Sequence, residues 1–177
     1  MAQPNQETIH DLLVRNIPRG LVMGLEEAML VGAQRAYAAA RGMDDGHLPS
    51  VVGQLRHFHM NESFHRALTV EDASPSALRG HQIVTGRAGI LTLARFNTKD
   101  GVWNSGRRSA TRKQMALANA AIEPLVQFEL FSNYVEPTQA VVFIVACFAG
   151  SLRSQPDIPV SIEIAVPDRR MQNWLFR

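Results

Sequence analysis

The densest group of cationic side chains lies in the segment 103–113, which reads WNSGRRSATRK. Four cations fall within seven positions there, with no acidic residue: Arg107, Arg108, Arg112 and Lys113. Cations in the first turn of a helix are unfavourable, because the backbone dipole is already positive there. A bound phosphate would remove the conflict, since arginine forks and backbone N–H groups both bind it. With Trp103 available to stack on a base, the segment predicts a site for a polyanion, most simply a nucleic acid.

The same arginines fit a second function. They could hold the phosphate or carboxylate of a small molecule in a pocket between the sheet and the N-terminal helices. A histidine there could act as acid or base near neutral pH, so the sequence leaves open whether the protein is an enzyme. A third interpretation is a solvated connection whose charges are paired by acids elsewhere, such as Asp100.

Three of the six histidines lie close together, and an acid lies among them: His57, His59, Glu62 and His65. On a helix the last three fall within an arc of about 120°, and on a strand the first two share a face. Either arrangement offers ligands to zinc or iron, but neither matches the HExxH spacing. We expect ordinary polar residues on a half-buried helix, and we predict no metal site.

Other motifs argue against particular chemistries. The stretch 85–89, TGRAG, lacks the third glycine of a dinucleotide site and the lysine of a P-loop, so we expect a turn before a strand. Cys147 lies in an apolar run and should behave as a small hydrophobe. Glu163 and Asp168 lack the lysine of a metal-dependent nuclease, because Ala165 occupies its position.

Composition limits the class of protein. The chain has 177 residues, 46% hydrophobic and 19% charged, which excludes a disordered chain and predicts a single domain, 1–177. The net charge of +2 cannot by itself drive nucleic-acid binding, and the excess of arginine over lysine is explained by codon bias in a GC-rich, bacterial-like genome. One cysteine, no apolar run of about 18 residues and no export signal predict a cytoplasmic protein without membrane contact.

Hydrophobic spacing predicts a mainly helical segment over 1–70, with helices over 6–16, 21–41 and 49–68. The stretch 54–60 could instead be a strand, because its residues also alternate. The Ala-rich second helix has small residues along one face, so it is the candidate interface for a homo-oligomer without any other site.

The remainder, 81–177, predicts a core that contains a sheet. We expect a strand over 90–97, a hairpin turn and a return strand over 102–105. A helix over 112–122 should begin with a capping box of Thr111 and Gln114. Two more strands, over 140–149 and 160–166, are followed by a final helix.

In the last of these strands, alternation places Val160 and Val166 inward and Ala165 outward. The final helix should have Met171, Trp174 and Leu175 on one side. The loops between strands are too short for parallel crossovers. The fold class is therefore α+β, with an antiparallel sheet of about four strands covered by helices.

Overall fold

The computed structural model describes residues 8–126 and 135–177. It begins with three helices: α1 (Ile9–Asn16), α2 (Arg19–Ala40) and α3 (Leu48–Val70). A capping box starts α1, because the Thr8 hydroxyl and the Asp11 carboxylate each accept the other residue's backbone N–H. The predicted N-terminal helices are confirmed, and the strand alternative for 54–60 is wrong because those residues lie inside α3.

The helices α2 and α3 pack closely against each other. At their contact, a Cβ added to Gly32 would lie 2.7 Å from the Cα of Met60, so a side chain would push the backbones apart. An ion pair of 3.1 Å between Arg35 and Glu62 also joins them. The helices α2 and α3 together form a layer against one face of the sheet.

Five strands form one sheet in chain order: β1 (Thr85–Ala88), β2 (Leu91–Lys99), β3 (Ala140–Phe148), β4 (Ser161–Pro167) and β5 (Trp174–Phe176). The pairs β1–β2, β3–β4 and β4–β5 are antiparallel, and β2–β3 is parallel. The α+β class is confirmed. The prediction of a wholly antiparallel sheet is wrong at β2–β3, because the chain between these strands includes helices and is long enough for a crossover.

The predicted return strand over 102–105 is wrong, because a 3₁₀ helix (Trp103–Arg108) begins there. The turn before it is real, with Gly101 at φ 75°. The chain after the turn is hydrogen-bonded to Thr98 of β2. The Thr98 hydroxyl donates to the Val102 carbonyl at 2.8 Å and lies 2.6 Å from the Ser105 hydroxyl. These local bonds leave the segment folded as a turn.

A short helix, α4 (Ala110–Ala116), follows, and 3₁₀ turns continue from it. The predicted capping box of Thr111 and Gln114 is wrong, because the side chain of Ser109 caps the helix by accepting the Arg112 N–H. The α-helical part is also shorter than predicted, since residues Leu117–Ala121 are 3₁₀.

The predicted C-terminal helix is wrong as well. The Asp168 carboxylate accepts the backbone N–H groups of Arg170, Gln172 and Asn173, which folds this segment into a turn. Met171 has φ 54°, outside the helical region. The chain then forms β5 beside the end of β4.

Two apolar clusters lie on opposite faces of the sheet. The first packs α1, α2 and α3 against residues such as Leu91 and Leu93 of β2, and the second packs α4 and the C-terminal turn against Phe96 and Phe143. β3 is buried along its whole length, as predicted. The alternation predicted for the strand over 160–166 is wrong at two positions: Ala165, predicted to point to solvent, is fully buried in the second cluster, and Val160, predicted to point inward, is 41% exposed.

The stretch 85–89 is also corrected. Thr85–Ala88 is strand β1 rather than a turn, and Gly89 at φ 55° makes the turn into β2. In the described part of the chain, no helix combines the length and apolarity needed to cross a bilayer.

Candidate functional site

A buried arginine interrupts the apolar face of β2. Arg95 follows Leu91 and Leu93 at two-residue steps, so it points toward α3, and it is 5% exposed. Its Nε donates to the Asn61 side-chain oxygen, its Nη1 to the Asn97 side-chain oxygen and its Nη2 to the His57 carbonyl, each at 2.9 Å. Burial lowers the pKa of Arg95 to about 9, so it stays charged at neutral pH. All three acceptors are neutral groups.

A cavity of about 220 Å³ lies beside Arg95, where the pairing of β1 with β2 ends. The last pair is Thr85 with Ala94, and the next residues of β2 line the cavity. The lining comes from both layers of the fold: His57 and Asn61 from α3, Ile83 from the loop before β1, Arg95, Phe96 and Asn97 from β2, and Arg112 from α4. The cavity therefore lies around one edge of the sheet.

Arg112 supplies a second guanidinium from the opposite side of the sheet. Its Cζ lies 4.7 Å from the centre of the Phe96 ring, which is a cation–π contact. Its Nε donates to the Gly106 carbonyl at 2.9 Å, and one Nη to the Ser105 carbonyl at 3.5 Å. Burial lowers the pKa of Arg112. Its partners, like those of Arg95, are neutral.

No carboxylate lines this cavity among the residues that the structure describes. Nor does either guanidinium form an ion pair within 8–126 and 135–177. The fixed charge at the cavity is therefore positive and uncompensated over that part of the chain. Such an arrangement suits an anion, since it offers hydrogen-bond donors and no opposing negative charge.

His57 forms part of the same wall. Its ring Nε2 lies 3.3 Å from the Asn61 amide nitrogen, which places the ring proton on Nδ1. Its ring lies 5.7 Å from that of His81. Burial lowers the pKa of His57, and the nearby Arg95 and His81 lower it further. The ring is therefore neutral at pH 7.

The sequence-predicted arginine cluster separates in the structure. Arg112 lines the cavity, Arg107 donates to the Gln172 carbonyl, and Arg108 and Lys113 are exposed on the surface. The indole of Trp103 is contacted by Trp174 at 5.2 Å and by the Arg177 guanidinium at 4.5 Å. Of the five predicted binding residues, Arg112 is thus the one at the cavity.

The histidine group separates too. His57 lines the cavity, whereas His59 Nδ1 lies 3.7 Å from Glu62, whose carboxylate also pairs with Arg35. His65 is half-buried elsewhere on α3. Over residues 8–126 and 135–177, no three histidine, cysteine or acidic side chains lie together as metal ligands.

A further guanidinium is half-buried near this region without an ion pair in the described chain. Arg56 of α3 lies 3.7 Å from the centre of the Phe148 ring and donates to the Pro156 carbonyl at 2.7 Å. Its buried Nε makes no hydrogen bond, and burial lowers its pKa to about 10. This residue adds positive charge to α3 but does not line the cavity.

The sequence analysis missed Arg95, Asn61 and Asn97. The signal for Arg95 was present, because a charged residue continues the alternation of Leu91 and Leu93 on a face that must be buried. The four-residue step from His57 to Asn61 on a helix is a second signal, since it places both side chains on one face. What the sequence lacked was the register that brings α3 over β2.

Comparisons with known proteins give no further guidance about the site. No protein-family model matches the chain, and neither the curated proteins nor the solved structures include a significant match to it.

Proposed function

We propose that the protein binds a small ligand with an anionic group, a carboxylate or a phosphate, in the cavity between α3, β2 and α4. The observation that carries this proposal is the buried charge of Arg95. Among the described residues, all of its hydrogen-bond partners are neutral. A buried charge without a counter-charge costs several kcal/mol, roughly, in an apolar interior. A cost of this kind without a structural gain is typical of a functional site.

The donors at the cavity support the same proposal. Arg95 uses three of its five N–H groups on the protein, which leaves two. Within the described chain, neither the Nη1 of Arg112 nor the amide nitrogen of Asn97 makes a hydrogen bond. These groups belong to residues that line one small cavity, so one anionic group is positioned to receive several charge-assisted bonds.

The test is a titration of the protein with inorganic phosphate and with acetate, followed by amide chemical shifts in NMR at constant ionic strength. We expect saturable shifts at the cavity residues, with His57 and Asn97 among them. The variant Arg112→Gln should weaken binding by about tenfold or more, since it removes a charge-assisted contact.

The matched control is Arg108→Gln, which removes the same charge from an exposed position in the neighbouring 3₁₀ helix. It should leave the affinity nearly unchanged. Linear, non-saturating shifts, or equal losses in the two variants, would contradict a site in the cavity.

Nucleic-acid binding through Arg107, Arg108 and Lys113 is a second proposal. It is supported by the exposure of these side chains and by the lack of ion pairs to them in the described chain. Labelled DNA and RNA should then bind more weakly as salt rises, by about 0.9 log units per log unit of salt for each duplex phosphate contacted. Binding that persists when Arg107→Ala is combined with Arg108→Ala would end this proposal.

Self-association through the N-terminal helices is a third proposal, and a cytoplasmic location remains an expectation from the sequence. The small residues that suggested this interface from the sequence, such as Ala33 and Ala36, are buried within the chain itself. What favours self-association is instead the exposure of two large apolar side chains on α2, Met23 at 57% and Val31 at 39%. Light scattering should then give a mass above 19.6 kDa. A monomer at all concentrations measured would contradict this proposal.

A further inference from the structure

Two positive charges approach the cavity from different layers of the fold. Arg95 extends from the face of β2 that packs on α3, and Arg112 extends from α4 over the Phe96 ring on the other face. Arg95 and Phe96 are neighbours on β2, so their side chains point to opposite faces of the sheet. The Arg112 guanidinium, which lies over Phe96, is therefore across the sheet from the Arg95 guanidinium. A single negative group on one face alone cannot neutralise both. A group that contacts both must lie at the edge of the sheet, where the cavity is.

The two charges also share the same kind of protein partner. Each donates to neutral oxygens, three for Arg95 and two for Arg112, and neither has a carboxylate partner among the described residues. A ligand with one negative charge would compensate one guanidinium and leave the other partly buried and unpaired. A ligand with two negative charges would compensate both.

The geometry of the donors favours a tetrahedral group over a planar one. The oxygens of a carboxylate lie in one plane and suit a single guanidinium fork. The oxygens of a phosphate or sulfate point in several directions, so a tetrahedral group is better suited to accept from donors on both sides of the sheet edge. The amide of Asn97 lines the same wall and adds a neutral donor.

We infer that the group bound in this cavity is a tetrahedral dianion, such as a phosphate monoester or free phosphate, held between Arg95 and Arg112. This inference rests on the proposed function and specifies its ligand.

The decisive comparison uses two anions of the same shape and different charge, sulfate and methanesulfonate. Both are titrated into the full-length protein at constant ionic strength, with the amide shifts of β2 and α4 as the readout. We expect sulfate to bind about ten- to hundredfold more tightly, because an additional charge-assisted contact is worth about that factor. Methyl phosphate at pH 8 should behave like sulfate.

Two variants test the part played by the second charge. Arg112→Gln should reduce the preference for sulfate to about twofold or less while methanesulfonate still binds, because one positive charge remains at the cavity. Arg112→Lys should keep most of the preference, since it retains the charge and loses the fork. Arg112 is only partly buried, so both variants are expected to fold, and circular dichroism checks this.

The outcomes separate this inference from the function it rests on. Equal affinity for sulfate and methanesulfonate would overturn the dianion and leave anion binding intact. A preference for sulfate that survives Arg112→Gln would also overturn it, because the second charge would then have no part. Absence of saturable binding by any of the anions would overturn the proposed function itself.

Discussion

The guanidinium of Arg95 on β2 donates from Nε to the side-chain oxygen of Asn61 on α3, at 2.9 Å, and both residues are buried. The bond joins two elements through residues that lie 34 positions apart in the chain. It also fixes the orientation of the Asn61 amide, whose nitrogen then faces the ring of His57 at 3.3 Å. A neutral amide thus occupies the place where a buried arginine ordinarily has a carboxylate. Among the described residues, the charge of Arg95 therefore has no counter-charge.

Replacing this amide by a carboxylate supplies the missing counter-charge. In Asn61→Asp the carboxylate accepts from Arg95 and neutralises one wall of the cavity, so phosphate affinity should fall by about tenfold or more. The same NMR titration measures it. The control is Asn104→Asp, which makes the same change in net charge at an exposed position that does not line the cavity. Unchanged phosphate binding by a folded Asn61→Asp protein would mean that Arg95 does not contact the ligand.

The sequence predicted those parts of the fold that local patterns determine. Helical spacing located α1, α2 and α3, and the apolar run of β3 indicated a strand buried on both faces. The parallel partner of β2 could not be found in this way, because Leu91 pairs with Ala140, almost fifty residues later. No local pattern encodes such a pairing, and the turn at Gly101 suggested the wrong partner.

The candidate site depended on the same missing information. Arg112 was predicted as a binding residue from local charge density, yet most of the other residues that line the cavity come from α3 and β2. The C-terminal error has a different cause: the carboxylate of Asp168 holds a turn that the helical spacing of Met171 and Trp174 did not indicate. There, local side-chain hydrogen bonds decided what hydrophobic spacing could not.

Asn119 is a second buried amide that joins elements, and it predicts a large loss of stability. It is fully buried, donates to the carbonyls of Val141 and Pro167, and accepts the Val141 N–H at 2.6 Å. Asn119→Ala leaves these backbone groups unsatisfied, so the free energy of unfolding should fall by about 3 kcal/mol or more. Urea denaturation measures it, with Asn104→Ala at an exposed site as control. A loss below about 1 kcal/mol would mean that water replaces the amide.

The lowered pKa of His57 predicts that the stability of the ligand-free protein depends on pH. The groups that face it are Asn61 on its own helix, His81 from the loop and Arg95 from β2, and its pKa is lowered in the folded state. The unfolded chain, with an ordinary histidine pKa of about 6.5, therefore binds more protons just below that pH. The contribution of neutral His57 to the free energy of unfolding is fully present above about pH 6.5. It is lost as the pH falls toward the pKa of His57 in the folded state.

His57→Gln should accordingly flatten the decline in the free energy of unfolding between about pH 7 and pH 5. Urea denaturation at several pH values measures the slope. The control is the same substitution at His47, which is exposed at the start of α3. A variant that declines as steeply as the native protein would show that protonation of His57 is not resisted in the fold.

The contact between α2 and α3 predicts opposite effects for two glycine-to-alanine changes. A Cβ at Gly32 would lie 2.7 Å from the Cα of Met60 and 3.0 Å from its backbone nitrogen, and backbone atoms cannot move aside cheaply. Gly32→Ala should therefore lower the free energy of unfolding by about 1–3 kcal/mol. Gly53 lies in α3 with nothing within 4 Å of the added Cβ, so Gly53→Ala should raise stability by up to about 1 kcal/mol. Urea denaturation of both variants gives the comparison, and a Gly32→Ala protein as stable as Gly53→Ala would contradict the close approach of the two helices.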